Sequence, residues 1–148
     1  MKPEIILFDF FGVVASNVFA TIFLAYGEDP VTKLEQFQNA LDLADHGKKT
    51  FSDFKAEFCT LANISSYRLE ELLVKHQLPD SATFTILDNL KAKNYRMGLV
   101  SDCVADHLLS IVPEDKLSNY FGNNIYLSSR VGVKKPDLLQ HAITDIGA

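Results

Sequence analysis

Ile5-Ile6-Leu7-Phe8-Asp9-Phe10-Phe11-Gly12-Val13-Val14 is an apolar run of the length of a buried strand, carrying one charge and broken at Gly12. Asp9 is thereby expected at the carboxyl end of a strand, the edge at which open α/β sheets present groups to ligands. Taken alone, the stretch fits equally well an ordinary hydrophobic strand followed by a capping aspartate. The reading depends on what the later segments bring to the same edge.

The chain of 148 residues is 47% hydrophobic with a formal net charge of −5, enough for one globular domain, or a small core with an insert, that buries a real core. The acidic balance argues against nucleic acid as a partner. Cys59 and Cys103 match neither a disulfide framework nor a metal-ligand spacing, so both read as buried packing residues in a reducing, cytoplasmic setting. His46, His76, His107 and His141 are scattered singly and read as surface or packing residues. Residues 10–27 carry no charge, a length that could suggest a membrane span. The interruptions at Gly12, Ser16 and Asn17 instead favour a loop and then a helix capped by Asn17 and ending at Gly27, so no membrane partner is expected.

Downstream the pattern is helical. Asp29-Pro30 has the form of an N-cap and first helical residue, with Leu34, Phe37, Leu41 and Ala44 on one face as far as Gly47. Thr50 or Ser52 opens a helix bearing Phe51, Phe54, Phe58 and Leu61, and Ser65 or Ser66 opens one bearing Leu69, Leu72 and Leu73. Residues 15–78 are thus expected as a helical insert between two parts of a core, 1–14 and 79–148.

From Pro79 helix and strand alternate. Asp80 or Ser81 caps a helix that ends at Asn94, and Tyr95–Asp102 forms a strand that delivers Ser101 at its carboxyl end. Helices through Leu108 and near Pro113–Tyr120 follow. Asn124–Ser128 then forms a third strand, and the loop Val131–Asp137 carries Lys134 and Lys135 to the same side. This alternation predicts a parallel, doubly wound α/β sheet. A carboxylate, a hydroxyl and a lysine at the ends of neighbouring strands suit a covalent aspartyl intermediate, with Ser101 and a lysine holding the anion that is transferred. Lys134 and Lys135 also fit a solvated basic turn before a helix.

At these residues the chain resembles the haloacid dehalogenase superfamily. The first motif of that family is similar to Phe8-Asp9-Phe10-Phe11-Gly12-Val13, the second to Leu99-Val100-Ser101-Asp102, and the third to Gly132-Val133-Lys134-Lys135-Pro136-Asp137. The order and spacing agree, with a helical cap inserted between the first two motifs. The resemblance implies a Rossmann-like sheet with Asp9 as nucleophile, Ser101 on the transferred group and Lys135, directly before the proline, as the cation. It implies substrate contacts at Phe10, Phe11 and Gly12, through backbone N–H groups, and at Asp102. It also implies a magnesium ion on Asp9 and the Phe11 carbonyl.

Two departures qualify the function so implied. Phosphatases of the superfamily carry an aspartate two positions after the nucleophile as general acid and base, and here that position is Phe11. The family's fourth, acidic motif, which supplies magnesium ligands, would follow a further strand, and Gly147 reads as the C-cap of the last helix before it. The expected magnesium site is therefore weak or absent. The expected activity is hydrolysis of a small phosphorylated metabolite through an aspartyl-phosphate on Asp9. The alternatives are a non-catalytic anion-binding or interaction protein of the same fold and a 2-haloacid dehalogenase, although Arg68 is the one arginine of the insert available to receive a haloacid. An unpaired first strand would also leave an open sheet edge, expected to be covered by further chain or by self-association.

Overall fold

The computed structural model describes residues 4–147; the outermost ends of the two expected core segments, 1–3 and 148, lie outside the described residues. Three parallel strands, β1 (Ile6–Phe8), β2 (Met97–Ser101) and β3 (Ile125–Leu127), form a sheet in the order β1-β2-β3. Leu7 pairs with Gly98 and Phe8 with Leu99, while Ser101 pairs with Leu127. All five residues of β2 are buried, as a central parallel strand covered on both faces requires. Met97 and Leu99 join a cluster with Leu87, Leu117 and Phe121, and Val100 faces Leu138 and Ala142 on the opposite side. β1 is half-buried and lies at the sheet edge, so among the described residues it pairs on one side alone. It is also shorter than the apolar run suggests, because the chain turns immediately after Asp9. The N–H groups of Val13, Val14 and Ala15 all point to the Phe10 carbonyl, and Gly12 takes a φ of +83° that suits glycine.

Helices α1 (Val18–Tyr26), α2 (Leu34–Asp45), α3 (Phe51–Ala62) and α4 (Ser66–His76) follow the first strand and bury one apolar cluster. At its centre are Phe19 and Phe23 from α1, Phe37 from α2, Phe54 and Phe58 from α3, and Leu69 and Leu72 from α4. Thr50 and Ser65 cap α3 and α4 through their hydroxyls, which accept the N–H groups of Asp53 and Arg68. The two ends of this helical segment meet. Ala15 bridges to Pro79, the Asp80 N–H donates to the Val14 carbonyl at 2.7 Å, and the Ser16 hydroxyl donates to the His76 carbonyl at 2.8 Å.

The remaining helices are α5 (Ser81–Ala92), capped by the Asp80 carboxylate, α6 (Ala105–Ile111), α7 (Glu114–Phe121), α8 (Ser128–Val131) and α9 (Asp137–Ile146). Gly147 closes α9 in the left-handed conformation expected of a C-cap. Four local expectations need correction. Asp29 does not start α2: it adopts a φ of +50° and accepts the Thr32 hydroxyl, so residues 30–33 form a turn and the helix begins at Leu34. Asn17 precedes α1 without a side-chain cap. The short α8 went unanticipated, since its four residues are too few for a periodic signal. Cys59 is partly exposed, whereas Cys103 is buried.

Candidate active site

Asp9 follows β1 directly and sits where the chain leaves the sheet. Its two carboxylate oxygens are both engaged. Oδ1 accepts the Phe10 N–H at 2.8 Å, and Oδ2 accepts the Lys135 Nζ at 2.8 Å, across 126 residues of sequence. Lys135 is carried by the loop between α8 and α9. That loop is fixed at the sheet end because Asp102, just past β2, accepts the Lys135 backbone N–H at 2.9 Å. Lys134 points the other way: its ammonium donates to Asp42 at 2.9 Å and lies 3.8 Å from Asp45, both on α2. Adjacent lysines therefore serve different purposes, one at the sheet edge and one tying the loop to the helical segment.

Ser101 ends β2. Its hydroxyl is fully buried and, among the described residues, makes no hydrogen bond of good geometry, the Cys103 thiol beside it being a weak partner. A buried hydroxyl with only a weak thiol partner is under-satisfied, and it marks a place where an incoming polar group would be welcome. Burial pushes the Cys103 thiol up to about 12, so it is not the thiolate a nucleophilic cysteine needs. Of the N–H groups after Asp9, that of Phe10 is turned to Asp9 and that of Gly12 donates to the Ala15 carbonyl at 2.7 Å. The Phe10 side chain belongs wholly to the core.

Magnesium fits this arrangement poorly. It favours a near-octahedral set of oxygen ligands, whereas both Asp9 oxygens are occupied and, among the described residues, no three ligating side chains converge.

Several residues that sequence patterns do not single out line a cavity of about 110 Å³ beginning at Phe11 and Asp102. His107 of α6 is stacked between Phe11 (4.8 Å between ring centres) and Phe51 (5.1 Å), and its Nε2 meets the Gln77 side-chain oxygen at 2.9 Å. Burial pushes its pKa down to about 4, so the ring is neutral. Asp45, the last residue of α2, also lines the cavity, and burial pushes its carboxyl up to about 6 despite the nearby Lys134.

No family model and no curated protein sequence matches the chain. Solved structures do. A predicted HAD-like family hydrolase from Porphyromonas gingivalis shares 20% identity at a TM-score of 0.66, covering 100% of this chain and 78% of that one. A HAD family enzyme from Bacteroides thetaiotaomicron, solved with magnesium and inorganic phosphate, shares 17% identity at a TM-score of 0.73, covering 97% and 79%. The L-2-haloacid dehalogenase from Xanthobacter autotrophicus, with chloropropionic acid covalently bound, shares 16% identity at a TM-score of 0.62, covering 100% and 66%. The chain has the fold of the HAD-like hydrolases, an α/β architecture around a parallel sheet.

Proposed function

We propose that this protein is a HAD-like hydrolase acting on small phosphate monoesters through a covalent aspartyl-phosphate on Asp9. The observation that carries the reading is the 2.8 Å ion pair between Lys135 and Asp9, at the end of the sheet where β2 also delivers the buried Ser101 hydroxyl. The two charges come from elements 126 residues apart in sequence, and Ser101 ends the strand that pairs with β1.

In the first step an Asp9 oxygen attacks phosphorus in line, the Asp9–phosphorus bond forms, and the bond from phosphorus to the ester oxygen breaks. Charge on the equatorial oxygens is met by the Lys135 ammonium and the Ser101 hydroxyl. Lys135 also lessens the repulsion between an anionic substrate and the carboxylate that attacks it. In the second step water releases phosphate and restores Asp9. Phe11 has no proton to give, so the first step suits esters whose leaving group departs unprotonated. The helical segment 15–78 would act as a cap over this edge, admitting substrate between itself and the core.

The test is a screen of acyl and aryl phosphates, with and without added magnesium, alongside Asp9→Asn. Turnover that disappears in the variant, with beryllium fluoride binding to the native protein and not to the variant, supports the mechanism. Equal turnover by both proteins would remove Asp9 from it, and no turnover of any phosphate would favour a non-catalytic anion-binding protein of this fold.

A further inference from the structure

The cavity lined by Phe11 and Asp102 has five rings in its wall: Phe11, Phe19, Phe51, Phe54 and the neutral His107. We infer that it is the leaving-group pocket of the hydrolase, and that the substrates are monophosphate esters of small aromatic alcohols without a carboxylate on the ring. This inference rests on the hydrolase reading and specifies its substrate class.

Three observations lead to it. The first is shape and chemistry. The volume of about 110 Å³ opens to solvent, so a benzene ring, which an enclosed cavity of about 150 Å³ holds, would sit here with one side at the opening. Aromatic walls favour a flat ring through offset and edge contacts, with Asn17, Asp45 and Asp102 as the polar part of the lining. The second is the double effect of Phe11. Its ring stands where an alkyl ester needs an acid and at the same time supplies a wall of the pocket, and a phenolic oxygen, far more acidic than an alkyl alcohol, depends less on a donated proton. The third is charge. Asp45 and Asp102 line the cavity and, among the described residues, no lysine or arginine does. A carboxylated ring would be repelled, and a ring bearing an amine or hydroxyl would find an acceptor in Asp45, whose ion-pair partner Lys134 stands 3.8 Å away, too far for a hydrogen bond.

The experiment has two arms. In the first, phenol is titrated into the protein and followed by NMR, which needs no turnover. Shifts confined to the rings of the cavity, reduced in Leu41→Trp, which fills it, are expected; no saturable shift overturns the inference. In the second, kcat/KM is compared at pH 8 for acetyl phosphate, phenyl phosphate and a fluorinated alkyl phosphate of matched leaving-group acidity. The phenyl ester is expected to exceed the matched alkyl ester by about tenfold, and a 4-carboxyphenyl ester to fall below it. That 4-carboxy penalty is expected to shrink in Asp45→Asn. Equal rates for phenyl and matched alkyl esters, with acetyl phosphate still cleaved, would overturn the substrate class and leave the hydrolase standing. If acetyl phosphate is inert, the hydrolase reading fails and the phenol titration alone decides whether the cavity is an aromatic site.

Discussion

Lys135 Nζ stands 2.8 Å from Asp9 Oδ2, and both side chains remain about a third or more exposed. An ion pair in that setting contributes at most about 1 kcal/mol to stability, because water screens it and two long-range side chains must be held still. Its geometry is therefore better understood as a feature of the site than of the fold. Lys135→Met is expected to leave the melting temperature within a few degrees of the native value and to reduce kcat/KM for acetyl phosphate by about a hundredfold or more. A large loss of stability with activity retained would reverse that assignment.

Phe11 offers a complementary test. Phe11→Asp places a carboxyl where the superfamily's phosphatases carry their acid, and turnover of alkyl phosphates is expected to rise, by up to about 10² to 10⁴. Acyl phosphates, whose leaving groups need little protonation, should gain far less. The same change removes a ring stacked on His107 and packed against Phe10 at 4.9 Å, so the variant is expected to lose about 2–4 kcal/mol of stability. Turnover is to be compared at a temperature where circular dichroism shows both proteins folded. A uniform change across leaving groups would dissociate position 11 from proton transfer.

Asp9 and Ser101 were legible because each lies at the end of an apolar strand pattern, whereas the choice of Lys135 over Lys134 rests on the resemblance of the third motif and not on a local pattern. Helix starts at Thr50, Ser65 and Asp80 were legible because a cap is a local bond between near neighbours. Asp29-Pro30 carries an identical signature and misleads, because the aspartate can enter the left-handed region and close a turn instead. Asp45 was invisible for a different reason. On α2 it falls one turn after Leu41, beside the apolar face, and periodicity does not say whether a carboxylate there is solvated or, as here, buried near Lys134. The aromatic stripe of α3 was read as core, and that holds for Phe54 and Phe58; Phe54 also lines the cavity, as does the half-buried Phe51. A hydrophobic period cannot distinguish a wall facing protein from one facing a cavity.

Gly47, just after α2, joins the helical segment to the other half of the molecule. It holds a φ of +73°, and a Cβ built there would lie 2.3 Å from the Ser129 carbonyl oxygen at the start of α8. Neither the backbone conformation nor the approach tolerates a side chain, and the obstacle is main chain that cannot rotate away. Gly47→Ala is expected to cost about 2–4 kcal/mol, combining left-handed strain with overpacking. Urea denaturation measures it directly. A loss below about 0.5 kcal/mol would show that α2 and α8 can separate freely, and with it that Lys134 does not need Asp42 to hold its loop.

Asp45 and His107 make opposing contributions to the pH dependence of stability. Burial raises the Asp45 carboxyl from 3.8 to about 6, with Lys134 and His46 working against the shift and Asp102 and Asp42 adding to it. Between those pH values the folded protein holds a proton that the unfolded chain has released, so this group's contribution falls as pH rises. Burial lowers His107 from 6.5 to about 4, with Lys55 assisting, so there the unfolded chain holds the extra proton and stability rises with pH. Each slope amounts to about 3 kcal/mol over its window, and the two windows overlap between about pH 4 and 6. The native protein should therefore show little net dependence from this pair in that range. Asp45→Asn keeps the shape of the side chain and removes the carboxyl, so the variant's stability relative to native should be smallest near pH 4 and increase by about 2–3 kcal/mol by pH 7. The relevant measurement is the difference in unfolding free energy between the two proteins at each pH, in which groups common to both cancel. A difference that stays constant from pH 4 to 7 would mean that Asp45 titrates alike in the folded and unfolded chains, and that its carboxyl is far better solvated at the cavity wall than its burial implies.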